Sequence, residues 1–450
     1  MWEMKSEIGN WKSKIRKYKL MNKLIVVAFV IVISLFARGQ DINKIITSKE
    51  VERIGRILSA DEMMGRKTFS PQIDKAADFI AEEFKKNGLR YYTGLTSYLQ
   101  PFSMIKAKLI SAEGNFEGKT LDPKNITAFT TQPGLSINNN SGYEKVNITA
   151  TENFFGKAFK YIESDKNYLI IVDTAHSANF KIFYDYEKQS FKKNNSVILV
   201  LSTVDPSVYQ LNILYEVTEP KLANVIGILP GKSKKDEYVI FSAHYDHIGT
   251  GKPDTAGDSI YNGANDDAAG TTAVVMLSKY FKKLNNNERT LIFVAFTAEE
   301  IGGYGSKYFS KNTDADKVVA MFNIEMIGTE SMWGTNSAYI TGYEKSDLGK
   351  ILQSNLTGSK FHFEPDPYPT ENLFYRSDNA TLAALGVPAH TISTSKMDAE
   401  KFYHTREDEI ESLDINNMTE IIKAVALSSK SLINGNDTPG RIKSQSIIRY

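Results

Sequence analysis

Between residues 221 and 432, mainly apolar runs alternate with segments whose apolar positions recur every three or four residues. The runs at 225–229, 238–243, 291–297, 318–324, 338–341 and 389–392 predict strands buried on both faces. The intervening periodic segments predict helices over 268–284, 304–310, 346–356, 377–385 and 415–432. Strand and helix in alternation give an α/β fold, with a mixed, mainly parallel central sheet flanked by helices on both faces. In such sheets ligands gather beyond the carboxyl ends of the strands. The polar residues that follow the apolar runs therefore carry the interest. They are His244-Tyr245-Asp246-His247, Asp266 in a glycine-bounded turn, Glu299-Glu300, Glu325, and His404 within Tyr403-His404-Thr405.

Ahead of this region two further helices are predicted, at 48–58 and 70–87, the second with Ala76, Ala77, Phe79, Ile80 and Phe84 on one face and Gly88 as its stop. The stretch 92–104 reads as a strand entering the core. From about 105 to 220 helical periodicity weakens, Asn and Lys become frequent, and β-rich runs appear at 168–172 and 197–201. None of the chemistry-bearing motifs falls here, which marks 108–220 as an inserted small domain. It divides an N-terminal part of the catalytic domain, 40–107, from the main part, 221–434; residues 435–450 form a tail.

At the N-terminus, Met21-Asn22-Lys23 precedes thirteen mostly apolar residues and the small residues Ala37 and Gly39. This is the pattern of a secretory signal peptide cleaved after Gly39, too short for a spanning helix of about 20 residues. Residues 1–39 are thus expected to be leader, and the mature protein exported, periplasmic or secreted.

Composition narrows the chemistry. With 54 basic and 53 acidic residues the net charge is +1, which gives no reason to expect a nucleic-acid partner or an anionic membrane surface. The chain has no cysteine, so disulfides, thiolate metal sites and cysteine nucleophiles are excluded. His and carboxylates remain as metal ligands, a set that suits zinc in a hydrolytic site with an open position; cobalt or manganese would accept the same donors. Two adjacent carboxylates, Glu299 and Glu300, allow one to bind metal while the other turns to a water as base.

In order and spacing these residues resemble the di-zinc aminopeptidases of family M28, over roughly 61–432 apart from the insert. That family supplies its site from a His-x-Asp, an Asn-Asp turn, a Glu-Glu, an Asp-Met and a late Tyr-His-Thr. The resemblance implies two Zn2+ ions held by His244, Asp266, Glu300, Glu325 and His404, with Asp266 bridging. It implies Glu299 as general base, Asp246 orienting His244 from behind, and a cis peptide after Asp266. Ser377 is placed beside His404 and Tyr375 at the substrate pocket, although Ser377-Asp378 reads equally as a helix cap. Where the family most often has Asp, this chain has Glu325, whose longer side chain must reach from a backbone set farther back. His247 follows Asp246 closely and reads as a loop-packing residue, while His176, His362 and His390 lack ligand partners at useful spacing.

The implied activity is removal of N-terminal residues from peptides. Two other readings stand beside it: a single-zinc glutaminyl cyclase of related fold, and a peptidase-like binding module without catalysis. The small residues Ala268-Ala269-Gly270 and Thr297-Ala298 favour the peptidase, and no ligand position is empty, which speaks against the binding module.

Overall fold

The structure, a computed structural model, describes residues 41–186 and 188–444. The leader expected at 1–39 lies outside the described residues. Among the described residues no helix is long and apolar enough to cross a membrane.

The main sheet contains β1 (Arg90–Tyr91), β2 (Leu99–Ser103), β3 (Lys221–Leu229), β4 (Lys234–His244), β5 (Arg289–Phe296), β6 (Val318–Ile324), β7 (Ser337–Ile340), β8 (His362–Pro365) and β9 (Ala389–Ser393). Their spatial order is β1-β3-β5-β4-β6-β9-β7-β8, with β2 also paired to β3. The central strands β5, β4, β6 and β9 are mutually parallel. Both flanks turn antiparallel, through β3 against β5 and β7 against β9. The four parallel strands read as mainly apolar runs because helices cover both of their faces.

Alternate residues serve the two faces. Val239, Phe241 and Ala243 of β4 join a core with α1 (Ser48–Leu58), α2 (Pro71–Lys86), α3 (Ala269–Leu284) and α5 (Ile415–Ser428). Ile240 faces the other way, onto a core that includes Phe309 of α4 (Tyr304–Lys311). At the centre the Phe241 ring stacks on Phe281, Phe293 and Phe322 with centroids 5.4, 5.6 and 5.0 Å away. The two N-terminal helices start as their sequence predicts, with Thr47 accepting from the Glu50 N–H, and Ser70 accepting from the Ile73 N–H before Pro71. The helix expected over 415–432 instead breaks after Ser428. There the Ser428 and Ser429 hydroxyls donate back to the carbonyls of Val425 and Ala426, and a short helix resumes at Lys430.

The expected strand at 92–104 pairs only over Leu99–Ser103, against β3, and then leaves the main sheet. Met104 donates its N–H to Pro220 O at 3.1 Å, and the pairing continues beyond it as Ile105–Phe116 against Tyr209–Thr218. One antiparallel ribbon thus joins the main sheet to two smaller ones. The first is a five-stranded sheet built on that ribbon; the second is four-stranded and has Val197–Leu201 and Tyr168–Val172 at its centre. They enclose cores of their own. A second attachment lies at α4, where Tyr304 donates its hydroxyl to Gln189 O at 2.7 Å and its ring meets Phe191 at 5.3 Å.

Candidate metal centre

Register brings the polar motifs together. His244 lies opposite Phe296 in the β4–β5 ladder, so β4 ends where β5 ends, with Glu299 and Glu300 in the turn beyond. Glu325 follows Ile324, the last residue of β6, and Asp266 stands in the turn that leads into α3. The peptide between Asp266 and Asp267 is cis. Residues spread over 160 positions thereby meet at one edge of the sheet.

Asp266 is the centre of the cluster. Its Oδ1 lies 3.1 Å from His244 Nε2 and its Oδ2 lies 3.2 Å from His404 Nε2. Glu300 Oε2 is also 3.2 Å from His404 Nε2. Two donor sets share this one carboxylate: His244, Asp266 and Glu325 on one side, and His247, Asp266, Glu300 and His404 on the other. Within each set the ligating atoms lie within 4.8 Å of one another. His244 Nε2, His404 Nε2 and Glu300 Oε1 are buried and make no hydrogen bond of proper geometry, although each faces an oppositely polar atom at close range. Donor and acceptor atoms left unmatched in this way, all turned inward, fit a pair of cations.

The electrostatics agree. Burial would push the His404 imidazolium down, but Asp266 and Glu300 outweigh it and raise its pKa to about 10. Burial also opposes the ionised form of Asp266, yet its histidine neighbours hold it well below the usual carboxylate range. Glu325 goes the other way: burial lifts it to about 7, with His244 pulling against the rise. The cluster thus concentrates carboxylates that are costly to ionise without a positive charge beside them.

Three buried aspartates fasten the backbone that carries these groups. Asp246 accepts the N–H groups of Glu299 at 3.1 Å and Glu300 at 3.3 Å, and the Thr68 hydroxyl at 3.1 Å. Its carboxylate is 3.8 Å from His244 Nδ1, whereas its main-chain carbonyl is only 3.1 Å away and is the atom that orients the ring. Asp267 accepts from the N–H groups of Gly270, Met326 and His244, at 2.9, 3.1 and 3.3 Å. Gly270 is required beside it, since a Cβ there would stand 2.0 Å from Ile324 O. Asp408 accepts from the N–H groups of Asn265 and Asp266. Behind them Arg66, fully buried, donates to the carbonyls of Leu58, Tyr245, Asn262 and Gly263. Ala298, Met326 and His404 all adopt positive φ, at 59°, 52° and 56°, a cost borne beside three of the candidate ligands.

Several residues differ from their sequence reading. His247 is not a loop-packing residue: the chain turns after Asp246 and brings its Nδ1 to 2.7 Å from Glu300 Oε1. Ser377 is held in a network with Glu325 and Asn323, donating to the first and accepting from the second, the latter at 2.7 Å. It caps no helix, since the following helix begins at Asn379 without a side-chain cap. Tyr375 packs its ring against Phe374 at 4.7 Å, and in this segment Leu373, Arg376 and Ser377 form the cleft wall instead. The same cleft is lined by Asp266, Glu299, Glu300, Glu325 and Tyr403, whose ring stacks on His404 at 3.9 Å. His176 and His390 are structural, the first bonded to Thr149 O, the second to Thr341 O and the Ser346 hydroxyl.

Residues 224–428 match the sequence model of Peptidase family M28. A probable leucine aminopeptidase of Trichophyton verrucosum is 31% identical over 209 residues, 44% of this chain and 54% of that protein. The chain spans about half the length, or less, of the curated relatives it matches. Among solved structures, the fold is shared with an aminopeptidase from Aneurinibacillus sp. strain AM-1, with a TM-score of 0.51 at 18% identity over 90% of this chain and 98% of that one. It is also shared with a zinc aminopeptidase from Bacillus subtilis, with a TM-score of 0.52 at 16% identity over 87% and 97%.

Proposed function

We propose that this protein is a zinc-dependent aminopeptidase with two ions per chain, because residues 224–428 match the sequence model of Peptidase family M28. The observation that carries the reading is the divided carboxylate of Asp266, one oxygen toward His244 and the other toward His404. His244 and Glu325 would complete one site, Glu300 and His404 the other, and Asp266 would belong to both. Zinc held there would lower the pKa of a water and polarise the carbonyl of the bond to be cut.

The remaining work falls to the chain. Glu299, in the cleft wall beside Glu300, takes the water's proton and returns it to the departing amine. Asp246 keeps Glu299 and Glu300 at their stations by holding both main-chain N–H groups. Leu373, Arg376, Ser377 and Tyr403 line the place where a peptide's first residue would lie. We further propose that 108–220 is an inserted unit between 40–107 and 221–434, followed by the tail 435–450, and that the leader at 1–39 directs export.

The test is metal content of the mature protein, paired with turnover of a panel of aminoacyl-arylamides before and after chelation. Two zinc ions with chelator-sensitive cleavage are expected. One zinc, no arylamide cleavage and conversion of N-terminal glutamine to a ring would overturn the assignment in favour of a cyclase. Neither metal nor turnover would leave a binding module.

A further inference from the structure

Among the described residues, His247 has both side-chain nitrogens unmatched. Its ring is fully buried, yet neither nitrogen makes a hydrogen bond of proper geometry, although Nδ1 faces a carboxylate oxygen of Glu300 at close range. The chain's other buried histidines outside the cluster show what a structural histidine looks like here. His390 uses both nitrogens, on Thr341 O and the Ser346 hydroxyl, each at 2.8 Å, and His176 bonds Thr149 O at 2.9 Å. Burying an imidazole without a well-formed hydrogen bond is costly, so a ring placed this way among carboxylates calls for a further partner.

The surroundings say what that partner is. His247 Nδ1 lies 2.7 Å from Glu300 Oε1 and 3.8 Å from Asp266 Oδ2, and its ring stands edge-on to that of His404 at 5.5 Å. The ring is fixed in this position. Its main-chain N–H donates to Arg66 O, and Gly263 packs so closely that a Cβ there would meet the ring at 2.5 Å. Glu300, which Nδ1 faces at 2.7 Å, is itself a candidate ligand of the same cation.

We propose that His247 is a protein ligand of the ion held by Asp266, Glu300 and His404. This rests on the two-metal reading above. That ion then has four protein donors, whereas the ion at His244, Asp266 and Glu325 has three. A full tetrahedral set is the mark of a site that retains its metal, and a set of three leaves room for water or substrate. The two positions are therefore unequal: the ion beside His247 is held tightly, and the ion beside His244 exchanges first and carries the open position.

The experiment is zinc titration of the metal-free full-length protein against a chromogenic chelator, for wild type, His247→Ala and His244→Ala. Wild type is expected to show two separated affinities. His247→Ala should weaken the tighter one by about 10- to 100-fold at least and leave the weaker one in place, while His244→Ala should do the reverse. Unchanged affinities in His247→Ala would overturn the proposal. If wild type binds one ion only and His247→Ala weakens it, His247 stands as a ligand and the two-metal reading fails. X-ray absorption at the zinc edge of wild type needs no variant to fold: three histidines over two ions average about 1.5 imidazoles per zinc, and a value of about 1 would remove His247 from the ligand set.

Discussion

The carboxylate of Asp408 accepts the main-chain N–H of Asp266 at 3.1 Å, four residues after one candidate ligand and directly behind another. It also takes the N–H of Asn265 at 2.7 Å, so the turn that presents Asp266 hangs on a side chain from the far end of the sequence. Asp408 is buried, and burial raises it to about 6. Replacing it with Asn puts an amide N–H where an acceptor is required. Asp408→Asn is expected to lose about 1 to 3 kcal/mol of stability, and to weaken zinc binding about 10- to 100-fold. Thermal unfolding of the metal-free protein and a chelator competition measure the two; wild-type affinity in the variant would show that Asp266 holds its position unaided.

The proposed mechanism divides one turn between two tasks, Glu299 as base and Glu300 as ligand, and the division can be read by substitution. Glu299→Gln keeps the shape of the side chain and removes its basicity. Zinc content should stay at the wild-type level while kcat falls about 100- to 10,000-fold. If turnover survives, the proton has another acceptor; if zinc is lost with it, Glu299 belongs to the ligand set.

His390 supplies a pH test outside the metal cluster. Burial holds its pKa down to about 4, against 6.5 for a free imidazole. Between those values the unfolded chain carries the proton and the folded one does not, so unfolding takes up protons and stability falls as pH falls. The loss should begin near pH 6.5, finish near pH 4, and reach at most about 3 kcal/mol. Chemical denaturation of wild type and His390→Asn across this range should show a steeper decline in wild type; parallel curves would mean that the folded ring accepts a proton freely.

How much of this was legible depended on the kind of signal. The central strands are legible because burial on both faces leaves few polar positions in them, and the candidate ligands His244, Glu300 and Glu325 because they follow such runs. Of the fastening residues, Asp246 shows in the His-x-Asp motif, whereas the others carry no such sign. Accepting an N–H requires only an oxygen in the right place, so Asp267 and Asp408 look like any acidic residue in a turn, and Arg66 lies far upstream of the motifs. His247 differs from its reading for a geometric reason. Its close spacing after Asp246 suggests a side chain that packs in the loop, but the strand ends at His244 and the turn brings its Nδ1 to 2.7 Å from Glu300 Oε1. Ser377 was likewise assigned to the nearer motif, His404, whereas the fold sets it beside Glu325. In the smaller sheets the long strands Ile105–Phe116 and Tyr209–Thr218 alternate buried and exposed positions, a weaker signal than a continuous apolar run.

The ribbon that leaves the main sheet at Met104 and returns at Pro220 has a mechanical side. Two independent threads would let the smaller sheets swivel like a load on strings. Here the outgoing and returning strands are laced to each other by the same ladder that continues into β2 and β3. Such a member behaves as a cantilever: it transmits torque, and it is braced near its root by Tyr304 and Phe191. Since α4 begins only four residues beyond Glu300, any load on the smaller sheets is delivered within one short lever arm of the turn that carries Glu299 and Glu300.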